Sequence, residues 1–473
     1  MEQTAEQEAI VNASFDKIML VMAYAGTGKS STLKEFCKAR PTSSFLYFVF
    51  NKTMKMDAVK SFKEVSNVNI TTFHALAFSQ IGKLYIDRLE EELKPMDLVH
   101  YFGDIDKDNH YLYATALLNL LGEFSASAET MEQYIRVKRR EKGVWSVQNG
   151  VPLTYLLKIL PGVWNDILNN ESMPFNHDFY LKLYQLSDFV LDYDYLLVDE
   201  GQDITPCMID LVTSQKCKLI VVGDEFQQIY SWRGAVNSLQ YLRDNYDCAV
   251  YFLSKSFRCP PKIGLVADTI ISKAGAEKKF EGVAPSKEIS QHNKMYIART
   301  NGGIFDHCAQ NTDAKIYFVG GLKSYGFSDI LDVKYLQINR KQYIKNKFIA
   351  SFGTFKEFVQ FANKTKDSSL KALYGIIFKY AEDDLFALIK DIKASEVKRF
   401  EDATHGIVSG HRSKGMEWDH IVLLDDFALG KEKKMKKMTP KELKEENNLL
   451  YVAITRAMCS IEMPEYVQDY IAS

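Results

Sequence analysis

The sequence contains no CxxC pair. Its seven cysteines, at positions 37, 207, 217, 248, 259, 308 and 459, are scattered. An odd, dispersed set fits reduced thiols in the cytosol and supplies neither a zinc site nor an iron–sulfur cluster. No apolar run approaches the length of a membrane span, so no membrane partner is expected. Met1 leads into the polar stretch Glu2-Gln3-Thr4-Ala5-Glu6-Gln7, which is not a secretory signal. Internal repeats and low-complexity segments are also missing. There is no global positive field, because the formal net charge is -2. Any nucleic-acid binding must therefore rest on local basic patches. What is present is ordinary globular material, 473 residues with 46% hydrophobic and 25% charged side chains. That length corresponds to roughly two to four domains.

One stretch organises the rest. Ile18-Met19-Leu20-Val21-Met22 is a short apolar run suited to a buried parallel strand. Ala23-Tyr24-Ala25-Gly26-Thr27-Gly28-Lys29-Ser30 follows at once, and Ser30 to Phe36 can begin a helix. Strand, tight loop and helix start together form a phosphate cradle. Loop amides and the helix N-terminus face anionic oxygens, Lys29 adds a point charge and Ser30 can ligate magnesium. Ala23 stands where the first glycine of the phosphate-loop pattern usually stands.

Thr4 to Asn12 reads as a short amphipathic helix capped by Thr4. Phe45 to Phe50 and Val68 to Thr71 read as further strands, with Asn51 able to cap the helix between them. Helical periodicity dominates from about Leu76 to Asp188. It includes a basic segment, Arg136, Lys138, Arg139, Arg140 and Lys142, flanked by Tyr134 and Trp145. That segment either faces nucleic-acid phosphates or is a solvated helix face. Strand pattern returns at Tyr193 to Val198, Lys218 to Asp224 and Ala249 to Leu253. It resumes at Lys294 to Ala298 and Lys315 to Val319, and after a second helical stretch (Leu322 to Arg399) at Gly406 to Ser409 and Ile421 to Leu424. The reading is two α/β domains, each interrupted by helices, with a junction near Ser254.

A phosphate loop says only that a nucleotide is bound. Hydrolysis also needs magnesium, an activated water and positive charge at the γ-phosphate. Asp199 and Glu200, at the tip of an apolar strand, fit the first two needs: Asp199 to hold magnesium, Glu200 to polarise the water. Gln227, beyond the Asp224 strand, can report whether the γ-phosphate is present. Tyr230 and Trp232, beside Arg233, either stack on bases or pack in the core; stacking is worth about 1–3 kcal/mol per base.

These motifs, in this order, resemble superfamily 1 DNA helicases of the UvrD/Rep/PcrA type, near the F-box DNA helicase branch, over nearly the whole chain. In that family alanine is usual at the first phosphate-loop position, so Ala23 fits. The resemblance implies two RecA-like parallel-sheet motor domains of the α/β class, each with a mainly helical insertion. The boundaries it implies are 1–85 and 189–254 for domain 1A, 86–188 for insertion 1B, 255–321 and 400–473 for domain 2A, and 322–399 for a small insertion 2B. It implies ATP and magnesium as cofactors, with Gln7 reading adenine and Ala25, Gly26, Thr27, Gly28, Lys29 and Ser30 cradling phosphate. Thr72-Phe73-His74 resembles a motif that touches single-stranded DNA, and Tyr230, Trp232 and Arg233 belong to the motif linking ATP to DNA. Asp199-Glu200-Gly201-Gln202-Asp203 matches the family's Asp-Glu-x-Gln-Asp motif. Phe257 would stack on adenine, and Arg258 would reach the γ-phosphate. Glu417 would contact the ribose, with His411 near DNA and Arg456 as a second arginine finger.

The implied activity is ATP-driven translocation on single-stranded DNA with 3′ to 5′ polarity and unwinding at single-strand/duplex junctions. Carboxylates and a lysine would come from one lobe and guanidinium groups from the other. The location expected is the cytoplasm of a bacterial or phage-infected cell, or the nucleoid, with a protein loading partner possible. Departures from the family are the short second insertion, Asn447-Asn448 where two arginines are usual, and an offset aromatic pattern around Phe50. No nuclease-like cluster follows Arg456, where a few turns of helix are expected. The run Lys431 to Lys437 either contacts phosphates or is a solvated loop. Two other readings are a translocase that displaces proteins with little unwinding, and an ATPase subunit gating a partner in a repair or defence complex.

Overall fold

The computed structural model describes the chain apart from residues 1, 90–91, 106–108, 143–146, 149–150, 230–235, 287–292 and 366, and apart from the side chains of 142, 147 and 148. The chain divides into two compact units, residues 1–24 with 28–253, and residues 25–27 with 254–473.

In the first unit the strands are β1 (Ile18–Ala23), β2 (Phe45–Phe48), β3 (Val68–Thr71), β4 (Val147–Gln148), β5 (Val151–Pro152), β6 (Tyr195–Val198), β7 (Lys218–Gly223) and β8 (Cys248–Leu253). Six of them form one sheet in the order β3-β2-β6-β7-β1-β8, with every pair parallel. A parallel sheet needs cover on both faces, which is why its inner strands β1, β2, β6 and β7 are near-continuous apolar runs rather than alternating ones. All six residues of β1 are buried. Around it Phe36, Phe45, Tyr47, Leu197 and Ile220 build the core.

The first helix, Ala5–Val11, starts on a capping box between Thr4 and Gln7, and Asn51 caps the helix Lys52–Ser61. Between β3 and β6 the chain is mostly helical, with β4 and β5 as a small antiparallel pair. Its core is aromatic: Trp164 meets Phe124 and Phe179 edge to face, at 5.2 and 5.3 Å between centroids. The basic helix Met131–Lys142 spends part of its charge on neighbours. Arg136 pairs with Glu132 at 3.1 Å, and Lys138 with Glu123 at 2.7 Å. Trp145 lies outside the described residues.

In the second unit β9 (Lys255–Ser256) and β10 (Glu281–Gly282) pair with each other, while β11 (Lys294–Ala298), β12 (Ile316–Phe318), β13 (His405–Ser409), β14 (Trp418–Leu423) and β15 (Ala457–Glu462) form the main sheet. Its order is β12-β13-β11-β14-β15, and again all pairs are parallel. Between β12 and β13 lie helices that include Phe327–Gln337, Phe355–Thr365, Ser368–Lys379 and Leu385–Ala394. This is the two-sheet α/β class expected from the sequence.

Two local expectations are corrected. After Arg456 the chain does not go straight into helix: Ala457–Glu462 is an edge strand, and the helix is Glu465–Ala472. The strand is half-buried and has no clear alternation of its own; it is fixed by pairing with β14 across a register shift between Trp418 and His420. The basic run near 431–437 contains a helical turn, Glu432–Met435, with Lys431 paired to Asp425 at 3.0 Å and Lys436 to Glu432 at 3.2 Å.

Candidate active site

The loop between β1 and the helix Lys29–Lys38 is shaped by two glycines. Gly26 has φ 73° and Gly28 φ 80°, a region L side chains rarely adopt. A Cβ on Gly26 would also fall 2.5 Å from Arg258 Cβ and 2.7 Å from Ser256 Oγ, all within the second unit. In that unit Phe257 N–H donates to the Gly26 carbonyl at 2.8 Å, and Ala25 N–H donates to the Tyr451 hydroxyl at 3.0 Å. Ala25 and Thr27 are buried.

Gly28 caps the helix, so Lys29 and Ser30 occupy its first turn. Lys29 Nζ lies 3.4 Å from Glu200 Oε1, with both side chains 14% exposed. Burial alone would lower the ammonium's pKa. Glu200, Asp199 and Asp224 together outweigh it, and the pKa is raised above the ordinary lysine value.

Asp199 and Glu200 follow directly on β6. Each Asp199 oxygen accepts one hydrogen bond: Oδ2 from the Tyr47 hydroxyl at 2.7 Å, Oδ1 from Glu200 N–H at 2.9 Å. Burial and the Glu200 charge push the Asp199 pKa up, against the pull of Lys29 and Tyr47. Glu200 has φ 53°, a left-handed backbone at a non-glycine residue. Such a conformation costs about 1–3 kcal/mol and tends to occur where function requires it. The kink turns the carboxylate to Lys29 and to Gln202, whose Nε2 donates to Glu200 Oε2. The other end of Gln202 accepts Asp224 N–H at 2.9 Å. Asp224 Oδ2 then accepts Gln227 Nε2 at 2.7 Å. Lys29, Asp199, Glu200 and Gln227 therefore belong to one partly buried polar network at the strand tips, and Ser30 follows Lys29 at the exposed start of its helix.

Among the described residues no group of three or more His, Cys, Asp or Glu side chains is arranged to hold a metal. Magnesium does not need one: it takes one or two protein oxygens and completes its shell with substrate phosphates and water. A buried carboxylate, Asp199, and the Ser30 hydroxyl fit that demand.

In the second unit Arg258 Nε donates to Glu417 Oε2 at 2.7 Å, and Arg258 Nη1 lies 3.5 Å from the Thr455 carbonyl. Arg456 is 1% exposed. Its guanidinium donates to the Val452 carbonyl at 2.8 Å, the Met416 carbonyl at 3.1 Å and Thr455 Oγ1 at 3.1 Å. Residues far apart in sequence, Arg258, Glu417 and Arg456, thus share the neighbourhood of Met416 and Thr455.

The remaining residues are more dispersed. Gln7 is buried and uses its side-chain oxygen as a cap acceptor for Thr4 N–H at 3.0 Å. Thr72 caps the helix Phe73–Gln80. Phe73 is buried and stacks on Phe48 at 4.2 Å, so its ring supports β2. His74 reaches outward, to Asp178 Oδ1 at 2.9 Å. His411 has its pKa pulled down to about 4 by burial and by Arg299. Tyr230, Trp232 and Arg233 lie outside the described residues. The sequence had given no role to Tyr47, Gln202, Tyr451 or Thr455. Gln202, Tyr451 and Thr455 stood inside stretches that match family motifs; Tyr47 carries no local signal.

A phosphate loop after β1 of an all-parallel sheet, with a carboxylate pair at the tip of β6 one strand removed, defines a P-loop nucleotide-hydrolase fold. Residues 6–233 match the family model described as an AAA domain, and residues 333–461 match the UvrD-like helicase C-terminal domain. The chain is 30% identical over 516 residues to F-box DNA helicase 1 of Gallus gallus, covering 99% of this chain and 50% of the relative. It is 29% identical over 502 residues to F-box DNA helicase protein 1 of Schizosaccharomyces pombe, at 96% and 56% coverage. It is 25% identical over 298 residues to ATP-dependent DNA helicase Rep of Buchnera aphidicola, at 54% and 40% coverage. Together these matches support a UvrD-like superfamily 1 helicase near the F-box DNA helicase branch. It spans about half the length of the F-box relatives it matches.

Proposed function

We propose that this chain hydrolyses ATP and uses the energy to move along single-stranded DNA, 3′ to 5′, separating strands at single-strand/duplex junctions. The observation that carries the reading is the Lys29–Glu200–Asp199 arrangement, in which a phosphate-loop lysine and two strand-tip carboxylates share one partly buried network. Lys29 and the loop 25–28 bind the phosphates, and Glu200 orients and deprotonates the attacking water. Gln227, tied to Asp224, senses the γ-phosphate. Ser30 and Asp199 hold magnesium, which when bound offsets negative charge on the phosphates. Gln7 and Phe257 take the adenine, and Glu417 takes the ribose.

Arg258 and Arg456 supply positive charge to the same phosphates in the transition state, so ATP and its products favour different arrangements of the chain. Thr72, His74, His411, Tyr230, Trp232 and Arg233 form the DNA track, with Phe73 supporting its neighbours from the core, where it stacks on Phe48. The motor domains are 1–85 with 189–254 and 255–321 with 400–473, carrying insertions 86–188 and 322–399. The protein works where its DNA is, in the cytoplasm or nucleoid, with a loading partner.

A translocase that unwinds poorly is the second reading, favoured by the short helical stretch between β12 and β13. A forked-duplex unwinding assay, run beside displacement of a protein block from a single strand, decides between them. Unwinding supports the first reading; displacement without unwinding supports the second.

A further inference from the structure

Tyr47 sits in the middle of β2, 1% exposed. The register pairs Tyr47 with Leu197 and Phe48 with Val198, which brings the phenol under the first residue beyond β6. Its hydroxyl donates to Asp199 Oδ2 at 2.7 Å, and it is also within hydrogen-bonding reach of the Ser30 side chain. Ring packing is supplied separately, by Phe62 at 5.3 Å between centroids. The hydroxyl therefore lies between two site side chains from different elements, one at a helix start and one at a strand tip.

We propose that Tyr47 is the positioning residue of the magnesium site; the inference rests on the reading of Ser30 and Asp199 as its ligands. A carboxylate held by one donor can still rotate. Asp199 is held by two, the phenol on Oδ2 and Glu200 N–H on Oδ1. Each oxygen keeps a further lone pair for a metal or its water. On the other side the same phenol neighbours the Ser30 hydroxyl, the second oxygen a hard cation can use. Both ligands are thus oriented before metal arrives, by a side chain that is itself 1% exposed. Removing a partner of this kind typically weakens a metal site roughly 10- to 100-fold.

The test is Tyr47→Phe, which keeps the ring and deletes the hydroxyl. Binding of a fluorescent ADP analogue is titrated with and without magnesium, and bound manganese is counted by electron paramagnetic resonance in the presence of ADP. The expected result is unchanged metal-free ADP affinity and a manganese affinity at least tenfold weaker. Equal metal affinity in wild type and variant overturns the inference. A wild-type protein that binds ADP with no response to magnesium or manganese overturns the ligand reading, and this inference with it. Should Tyr47→Phe not fold, Tyr47→Met, which fills similar space flexibly, is measured the same way.

Discussion

Lys29 Nζ stands 3.4 Å from Glu200 Oε1. The phosphate-loop cation and the carboxylate proposed for water activation are thus partners in the same structure, and the proposed function has an incoming γ-phosphate take the lysine from the glutamate. Glu200→Gln is expected to keep or slightly tighten ATP binding, because Lys29 loses a competing anion. Hydrolysis is expected to fall by about 100-fold or more, the usual contribution of a positioned base. Nucleotide titration and single-turnover hydrolysis check this; normal hydrolysis removes Glu200 from the role.

The two arginines separate by burial. Arg258 pairs with Glu417, whose side chain is 49% exposed, and such a pair contributes at most about 1 kcal/mol to stability. Arg456 is enclosed and donates to three oxygens; stranding those acceptors costs about 2–4 kcal/mol. Arg258→Ala is therefore expected to slow turnover by about 100-fold or more with little loss of stability. Arg456→Ala is expected to slow turnover and also to shift the denaturant midpoint downward. Equal midpoints for the two variants would contradict the structural role of Arg456.

Trp232 is assigned to base stacking. Trp232→Ala is expected to weaken single-strand binding by about 1–3 kcal/mol in a fluorescence anisotropy titration. Its DNA-free ATPase is expected to stay near wild type. Unchanged DNA affinity removes the stacking role.

His307 gives the second unit a pH response. Burial and His405, 3.2 Å away, pull its pKa from 6.5 down to about 4. The unfolded chain therefore takes up this proton first as pH falls. The stabilising contribution is complete above pH 6.5 and is lost progressively toward pH 4. Stability is expected to fall between pH 6.5 and 4.5, and His307→Gln to flatten that slope. Denaturant melts at several pH values measure it; an unchanged slope would assign the pH response to other groups.

Much of this was legible locally. The phosphate loop, the carboxylates after β6, and the caps at Thr4 and Asn51 each depend on neighbours in sequence. Two kinds of feature were not. Tyr47–Asp199 and Arg258–Glu417 join residues 152 and 159 positions apart, and only strand register and chain topology bring them together. The edge strand Ala457–Glu462 exists through its pairing with β14, because its own side chains are too mixed to give a period-2 signal. Phe73 shows a third limit: a motif places a residue near DNA, while packing decides that its ring faces Phe48.

The measurement that bears most directly on the motor assignment is steady-state ATP turnover with single-stranded DNA, duplex DNA or RNA, for wild type and Lys29→Ala. The account predicts strong stimulation by single-stranded DNA, less by the other two, and none in the variant. Turnover that ignores single-stranded DNA, or that survives loss of Lys29, would contradict it.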